Sequence, residues 1–148
     1  MGTHPPEQVT VDGITVRRWR VDDAVGLHEI IIASVEHLRP WMPWVAGEPL
    51  VVADREALLS AWVDDWDAGR GFTFAVTDAT GALLGSCGLH RRGDTDGLEI
   101  GYWVRAGRTG AGVATAVAGA LVRAASCVDG IDHVEIHHDR DNVASGRV

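Results

Sequence analysis

Glu99-Ile100-Gly101-Tyr102-Trp103-Val104-Arg105-Ala106-Gly107-Arg108-Thr109-Gly110-Ala111-Gly112-Val113-Ala114-Thr115 changes pattern twice within one short stretch. Aromatic and β-branched residues up to Val104 predict a strand, glycines from Gly107 to Gly112 a turn, and small apolar residues from Val113 to about Ala125 a helix. A strand that runs through a tight turn into a helix gathers unpaired backbone N–H groups and the positive end of the helix dipole at one spot. Such a spot suits a phosphate. Gly110 and Gly112 permit φ values and close approaches that a Cβ would block, and the small residues behind them let the helix start sit against the ligand. A dinucleotide fingerprint would place a third glycine where Thr115 stands, and would follow a strand of a βαβ unit rather than of a meander. A P-loop would need a Gly-Lys-Ser/Thr end that is missing here. A turn with a purely structural role is the remaining alternative.

Upstream, Ile14 to Arg20 alternates enough to predict a strand, and residues 1–12 read as a flexible tail. Asp22 and Asp23 offer an N-cap to a helix whose apolar residues Ala24, Leu27, Ile31, Val35 and Leu38 recur every three or four positions, and Pro40 ends it. Asp54 can cap a second helix with Leu59, Trp62, Val63 and Trp66 on one face, stopped by Gly69 and Gly71. Phe72, Phe74 and Val76 then alternate in a strand that turns at Asp78-Ala79-Thr80-Gly81 and returns over Ala82 to Leu89. Leu98 to Val104 is the third strand of this meander, and His133 to His138 is a last strand beyond the alanine-rich helix. The plan is α+β, a single domain over 13–148.

The chain has 148 residues, with 13 Lys+Arg against 21 Asp+Glu and a formal net charge of −8. One hydrophobic core is expected at this length. The acidic balance opposes a broad nucleic-acid or anionic-membrane surface, which would need a basic footprint. No apolar run approaches the roughly 18 residues that cross a bilayer. Cys87 and Cys127 sit among small or apolar residues and read as reduced, buried thiols of a cytoplasmic protein. His133, Glu135 and His137 share a strand face at period two, but they lack a fourth converging ligand and no metal is expected there.

Thr109-Gly110-Ala111-Gly112-Val113-Ala114 resembles the pyrophosphate-binding motif Gln/Arg-x-x-Gly-x-Gly/Ala of the GCN5-related N-acetyltransferase (GNAT) superfamily, with Thr109 standing where Gln or Arg is usual and Arg108 beside it. Leu38-Arg39-Pro40-Trp41-Met42-Pro43-Trp44 and Glu99-Ile100-Gly101-Tyr102-Trp103-Val104 are similar to the corresponding tracts of the RimJ/RimL ribosomal-protein acetyltransferases. Asn142-Val143-Ala144-Ser145 resembles the Asn-x-x-Ser stretch that opens the last helix of that family. These pieces follow one another in the family's order along nearly the whole chain.

The resemblance implies a mixed, mostly antiparallel central sheet flanked by helices, with acetyl-CoA as co-substrate, no metal, and direct transfer of the acetyl group to a primary amine of a small molecule or a protein N-terminus. It implies that Tyr102, Trp103 and Val104, on a strand splayed by a bulge, hold the pantetheine through backbone N–H groups. Thr109, Gly110, Ala111, Gly112, Val113, Ala114 and Thr115 would hold the pyrophosphate, and Asn142 would bond the pantetheine. Glu99 is the candidate base and Ser145 the candidate proton donor to the thiolate; a solvated strand carboxylate and a helix N-cap pair are the plain alternatives. Trp41, Met42, Trp44 and His90 would border the acceptor. The family usually continues with two further strands, so the resemblance implies a sheet lacking them. The edge of the last strand is then covered by a second copy in a homo-oligomer, paired in a longer natural chain, or left as a source of instability. The rival readings are a non-catalytic acyl-CoA-binding module, an oligomerising fragment of such an enzyme, and an interaction or structural protein with an incidental glycine turn.

Overall fold

A computed structural model of the chain describes residues 4–40, 51–91, 97–105 and 112–136. Strand β1 (Gln8–Val11) pairs antiparallel with β2 (Ile14–Arg18). The first-strand prediction therefore holds from Ile14 to Arg18, but residues 8–11, expected to belong to a tail, form a strand of their own. Asp12 (φ 52°) and Gly13 (φ 80°) close this hairpin. Positive φ at both central residues is the mark of the turn whose twist suits a two-residue hairpin, and Asp-Gly is its favoured pair.

Helix α1 (Ala24–Leu38) follows a single 3-10 turn, and α2 (Val52–Asp67) follows it in sequence. Asp23 stands at the start of α1 as expected, yet its carboxylate accepts from Arg17 and from the Arg20 N–H instead of capping the helix. Asp54 accepts from the Val51 N–H at 3.0 Å and so ties down the entry to α2. Of the predicted faces, Leu27, Ile31 and Leu38 of α1 and Leu59 and Trp66 of α2 are buried.

Strands β3 (Gly71–Thr77), β4 (Leu83–Arg91) and β5 (Gly97–Val104) form the meander, and helix α3 (Val113–Ala125) carries the chain to β6 (His133–Ile136), parallel to β5. Asp78 organises the β3–β4 turn, its Oδ1 accepting from the N–H groups of Thr80 and Ala82 and from the Thr80 hydroxyl. The six strands lie in sequence order in one sheet, with antiparallel pairing from β1 to β5. This is the mixed α+β architecture expected.

Pleating divides the core. Phe72, Phe74 and Val76 with Cys87, Leu89 and Ile100 meet Val117, Leu121 and Ala124 of α3 on one face. Trp19, Leu27, Ile31, Leu59 and Ala75 fill the other, with Trp62 and Trp103 packed against them. No helix among the described residues is long and apolar enough to cross a membrane.

Candidate functional site

The Arg105 N–H donates to the Leu84 carbonyl at 2.6 Å, at the end of the β4–β5 ladder. Bonded positions in an antiparallel ladder recur at every second residue, so Trp103, Gly101 and Glu99 turn their backbone groups toward β4. Ile100, Tyr102 and Val104 turn theirs to the opposite edge, where, among the described residues, β6 pairs in register from Gly97 opposite His133 to Ile100 opposite Ile136. Of the three N–H groups named from the sequence, those of Tyr102 and Val104 face that edge, and the Trp103 N–H faces β4. The bulge expected in this strand is not found. Register runs unbroken from Leu98 to Val104, and the irregularity falls in the neighbouring hairpin, between Val76 and Thr77.

Val104 and Val113 are buried in the same core cluster, and α3 packs against β5. Gly112 holds the N-cap of α3 at φ 77°, a conformation open to glycine, and its carbonyl accepts the first helical bond from the Ala116 N–H at 3.1 Å. The N–H groups of Val113, Ala114 and Thr115 precede that first bond and therefore have no partner within the helix. Gly112 and Thr115 are exposed, and among the described residues no side chain caps the helix. The start of α3 thus leaves amide hydrogens without helical partners at its positive dipole end, beside the exposed Gly112. Thr109, Gly110, Ala111, Asn142, Ser145, Trp41, Met42 and Trp44 lie outside the described residues.

On the face that carries α1 and α2, directly opposed residues form rows across the strands. Gly71, His90, Glu99 and Glu135 make one row; Thr73, Gly88 and Gly101 the next; Ala75, Ser86 and Trp103 the third. Among the described residues, a Cβ placed on Gly101 would meet no atom within 4 Å, so the β5 end of the middle row is an open floor between Glu99 and Trp103. The imidazole of His90 lies over this row. A Cβ on Gly88 would come 2.8 Å from its Nε2, and one on Gly71 would come 3.2 Å from its Nδ1. Glu99 is half-buried. Sequence reasoning missed the glycine floor, the Trp103 wall and the Glu135 neighbour, although period two in Ser86-x-Gly88-x-His90 and Glu99-x-Gly101-x-Trp103 carries the signal.

Although His90 is exposed as a residue, packing of its ring against the sheet takes water from it and draws its pKa below the usual histidine range; the opposing pull of Glu99 and Asp65 is smaller. Cys127 is only half-buried, contrary to the expectation of two buried thiols, while on the α3 face burial pushes the Cys87 thiol far above the usual range. A thiol so held is a poor nucleophile, and it lies on the side of the sheet away from His90 and Glu99. His133 and Glu135 share the Glu99 face, while His137 lies outside the described residues. Among the described residues no three His, Cys, Asp or Glu side chains converge on a metal position.

A comparison with curated proteins finds no sequence match. Among solved structures, Mycobacterium smegmatis RimJ in complex with a CoA disulfide is similar at 25% identity and TM-score 0.79, over 90% of this chain and 66% of that one. The chain thus spans just under two thirds of the length of RimJ. RimL, a ribosomal-protein alpha-N-acetyltransferase in complex with coenzyme A, matches at TM-score 0.86 and 15% identity, over 95% of this chain and 80% of that one. A ribosomal-protein-alanine acetyltransferase from Vibrio fischeri matches at TM-score 0.79 and 18% identity, over 95% and 78%. A family model for the acetyltransferase (GNAT) domain matches residues 14–148, and the chain belongs to that family.

Proposed function

We propose that the protein is an acetyl-CoA-dependent N-acetyltransferase acting on a primary amine, with a protein N-terminus as the acceptor class. The observation that carries this reading is that α3 packs against β5, with the Tyr102 and Val104 amides turned away from β4 and the first amides of α3, behind Gly112, left without partners in the helix. The N–H groups of Val113, Ala114 and Thr115 suit the diphosphate, and those of Tyr102 and Val104 suit the pantetheine arm and the thioester carbonyl. The acceptor class is supported by similarity to RimJ, RimL and the Vibrio fischeri enzyme, whose substrates are ribosomal proteins where their names state them. A cytoplasmic setting goes with that class.

The amine and the thioester meet in one ternary complex over the Gly101 floor. The amine nitrogen attacks the thioester carbonyl, the C–N bond forms, and the oxygen turns anionic under the β5 amides. The C–S bond then breaks, the thiolate takes a proton from Ser145, and the proton still on the new amide nitrogen restores the Ser145 hydroxyl. Glu99 supplies the negative charge that draws an ammonium into the site and eases loss of its proton. Asn142 bonds the pantetheine, and Trp41, Met42 and Trp44 wall the acceptor.

Calorimetry with acetyl-CoA, followed by thiol release in the presence of peptides with free N-termini, tests the proposal. Binding together with amine-dependent release of CoA is expected. Binding without such release would make the chain an acyl-CoA-binding module instead, and no binding would overturn the reading altogether.

A further inference from the structure

The open floor at Gly101 has a second polar border besides Glu99. His90 stands directly opposite Glu99 on β4, and its ring folds back along its own strand with Nε2 over Gly88, the cross-strand partner of Gly101. This posture depends on glycine: a side chain at Gly88 would occupy the place of the ring, and one at Gly71 would press on Nδ1. Nε2 thus lies over Gly88 in the row that ends at Gly101, on the face where Glu99 stands opposite His90.

We infer that His90 is the group that takes the proton from the acceptor ammonium, with Glu99 as the charge that stabilises the imidazolium so formed. The inference rests on the acetyltransferase reading and names the proton's first destination. The ammonium gives one proton to Nε2, and its freed lone pair attacks the thioester carbonyl. The C–N bond forms as the C–S bond breaks. The second proton leaves the nitrogen as the amide forms and accounts for the thiol of CoA, and His90 returns the first to water. One amide, one thiol and one released proton balance one ammonium and one thioester.

The surroundings of His90 favour this role. Among the described residues, the charged groups around the ring are Glu99 across the ladder on β5, Glu135 one strand further on β6, and Asp65 on α2, which is paired with Arg70 at 2.9 Å. Arg91, the next residue on β4, turns away and donates to the Gly69 carbonyl at 2.8 Å. Desolvation keeps the ring neutral near pH 7, the form that accepts a proton, while the carboxylates make the protonated form affordable in turnover.

The test joins NMR titration of the His90 ring with the pH dependence of kcat/KM for a peptide acceptor. In the wild type the acidic limb of kcat/KM is expected to follow the His90 titration. In Glu99→Gln both are expected to move to lower pH together, because the upward pull of that carboxylate is gone. His90→Gln is expected to lose about 100-fold in kcat and the acidic limb, with acetyl-CoA affinity by calorimetry changed less than about twofold. An active wild type whose His90→Gln variant keeps its rate and its acidic limb overturns the role of His90 and leaves the acetyltransferase reading standing. A wild type that binds acetyl-CoA and releases no CoA to any amine overturns both.

Discussion

Gly85 and Trp103 approach so closely across the β4–β5 ladder that no side chain fits between them. A Cβ on Gly85 would lie 3.0 Å from the Trp103 carbonyl carbon, 3.1 Å from the Val104 Cα, and well inside the contact shell of the Trp103 oxygen. Backbone on both sides leaves no flexible group to yield. Gly85→Ala is therefore expected to destabilise the fold by about 1–3 kcal/mol, read as a lower urea midpoint. Because the shift falls on Trp103 and Val104, acetyl-CoA affinity is expected to drop with it. Gly101→Ala is the contrast: its Cβ enters open space, so stability is expected to stay within about 0.5 kcal/mol while kcat/KM falls through loss of acceptor room. A Gly101→Ala variant with unchanged kcat/KM would show that the acceptor does not use this floor.

Trp19 donates through Nε1 to the Ser86 hydroxyl at 3.1 Å, and Ser86 in turn bonds the Phe74 carbonyl at 3.4 Å. Both side chains are buried, so the indole N–H has no water to fall back on. Ser86→Ala is expected to cost about 1–3 kcal/mol, the penalty of a buried donor left unsatisfied. Thermal unfolding checks this; a variant as stable as the wild type would mean that the indole finds another acceptor.

Arg17 grips Asp23 with two bonds of 2.9 Å, and the Asp23 side chain is only 10% exposed. Burial alone would raise the carboxyl pKa, but the Arg17 hydrogen bonds, the Arg20 N–H and the charges of both arginines outweigh it and hold the pKa below its usual value. The unfolded chain therefore binds this proton at a higher pH than the folded one. The stabilisation is complete above about pH 4 and is lost as pH falls through the lowered folded value. Asp23→Asn is expected to lose about 1.5–3 kcal/mol at neutral pH and to flatten part of the acid limb of stability, as followed by urea melts from pH 7 to pH 3.

The helices and the meander were legible because each repeats one local rule over many residues: spacings of three and four in α1, alternation in β3. The β1 hairpin was missed although Val11-Asp12-Gly13-Ile14 carries a strong turn signal, because the polar residues around it outweighed a short strand that packs through Val9 and Val11 alone. The Glu99 position and the uncapped start of α3 could be named from sequence, since both depend on neighbours along the chain. The meeting of His90 with Glu99 could not, because it depends on β4–β5 register. A slip of one residue would send His90 to the α3 face, and only the packed sheet excludes that.

Gly112 separates the backbone role of the glycine turn from its proposed ligand role. Its φ of 77° strains any residue with a Cβ, and Gly112→Ala is expected to cost about 1–2 kcal/mol. Asparagine tolerates this conformation better and can also cap α3 with its side chain, so Gly112→Asn is expected to stay within about 0.5 kcal/mol of the wild type. Both substitutions place a Cβ in the open space at the start of α3, where an anion would rest on the amides of Val113, Ala114 and Thr115. If that cradle holds the diphosphate, calorimetry with CoA will show reduced affinity for both variants, including the one that keeps its stability. The reduction should be smaller for a pantetheine fragment that lacks the diphosphate. A Gly112→Asn protein that binds CoA as the wild type does would place the diphosphate elsewhere and leave Gly112 as a turn residue alone.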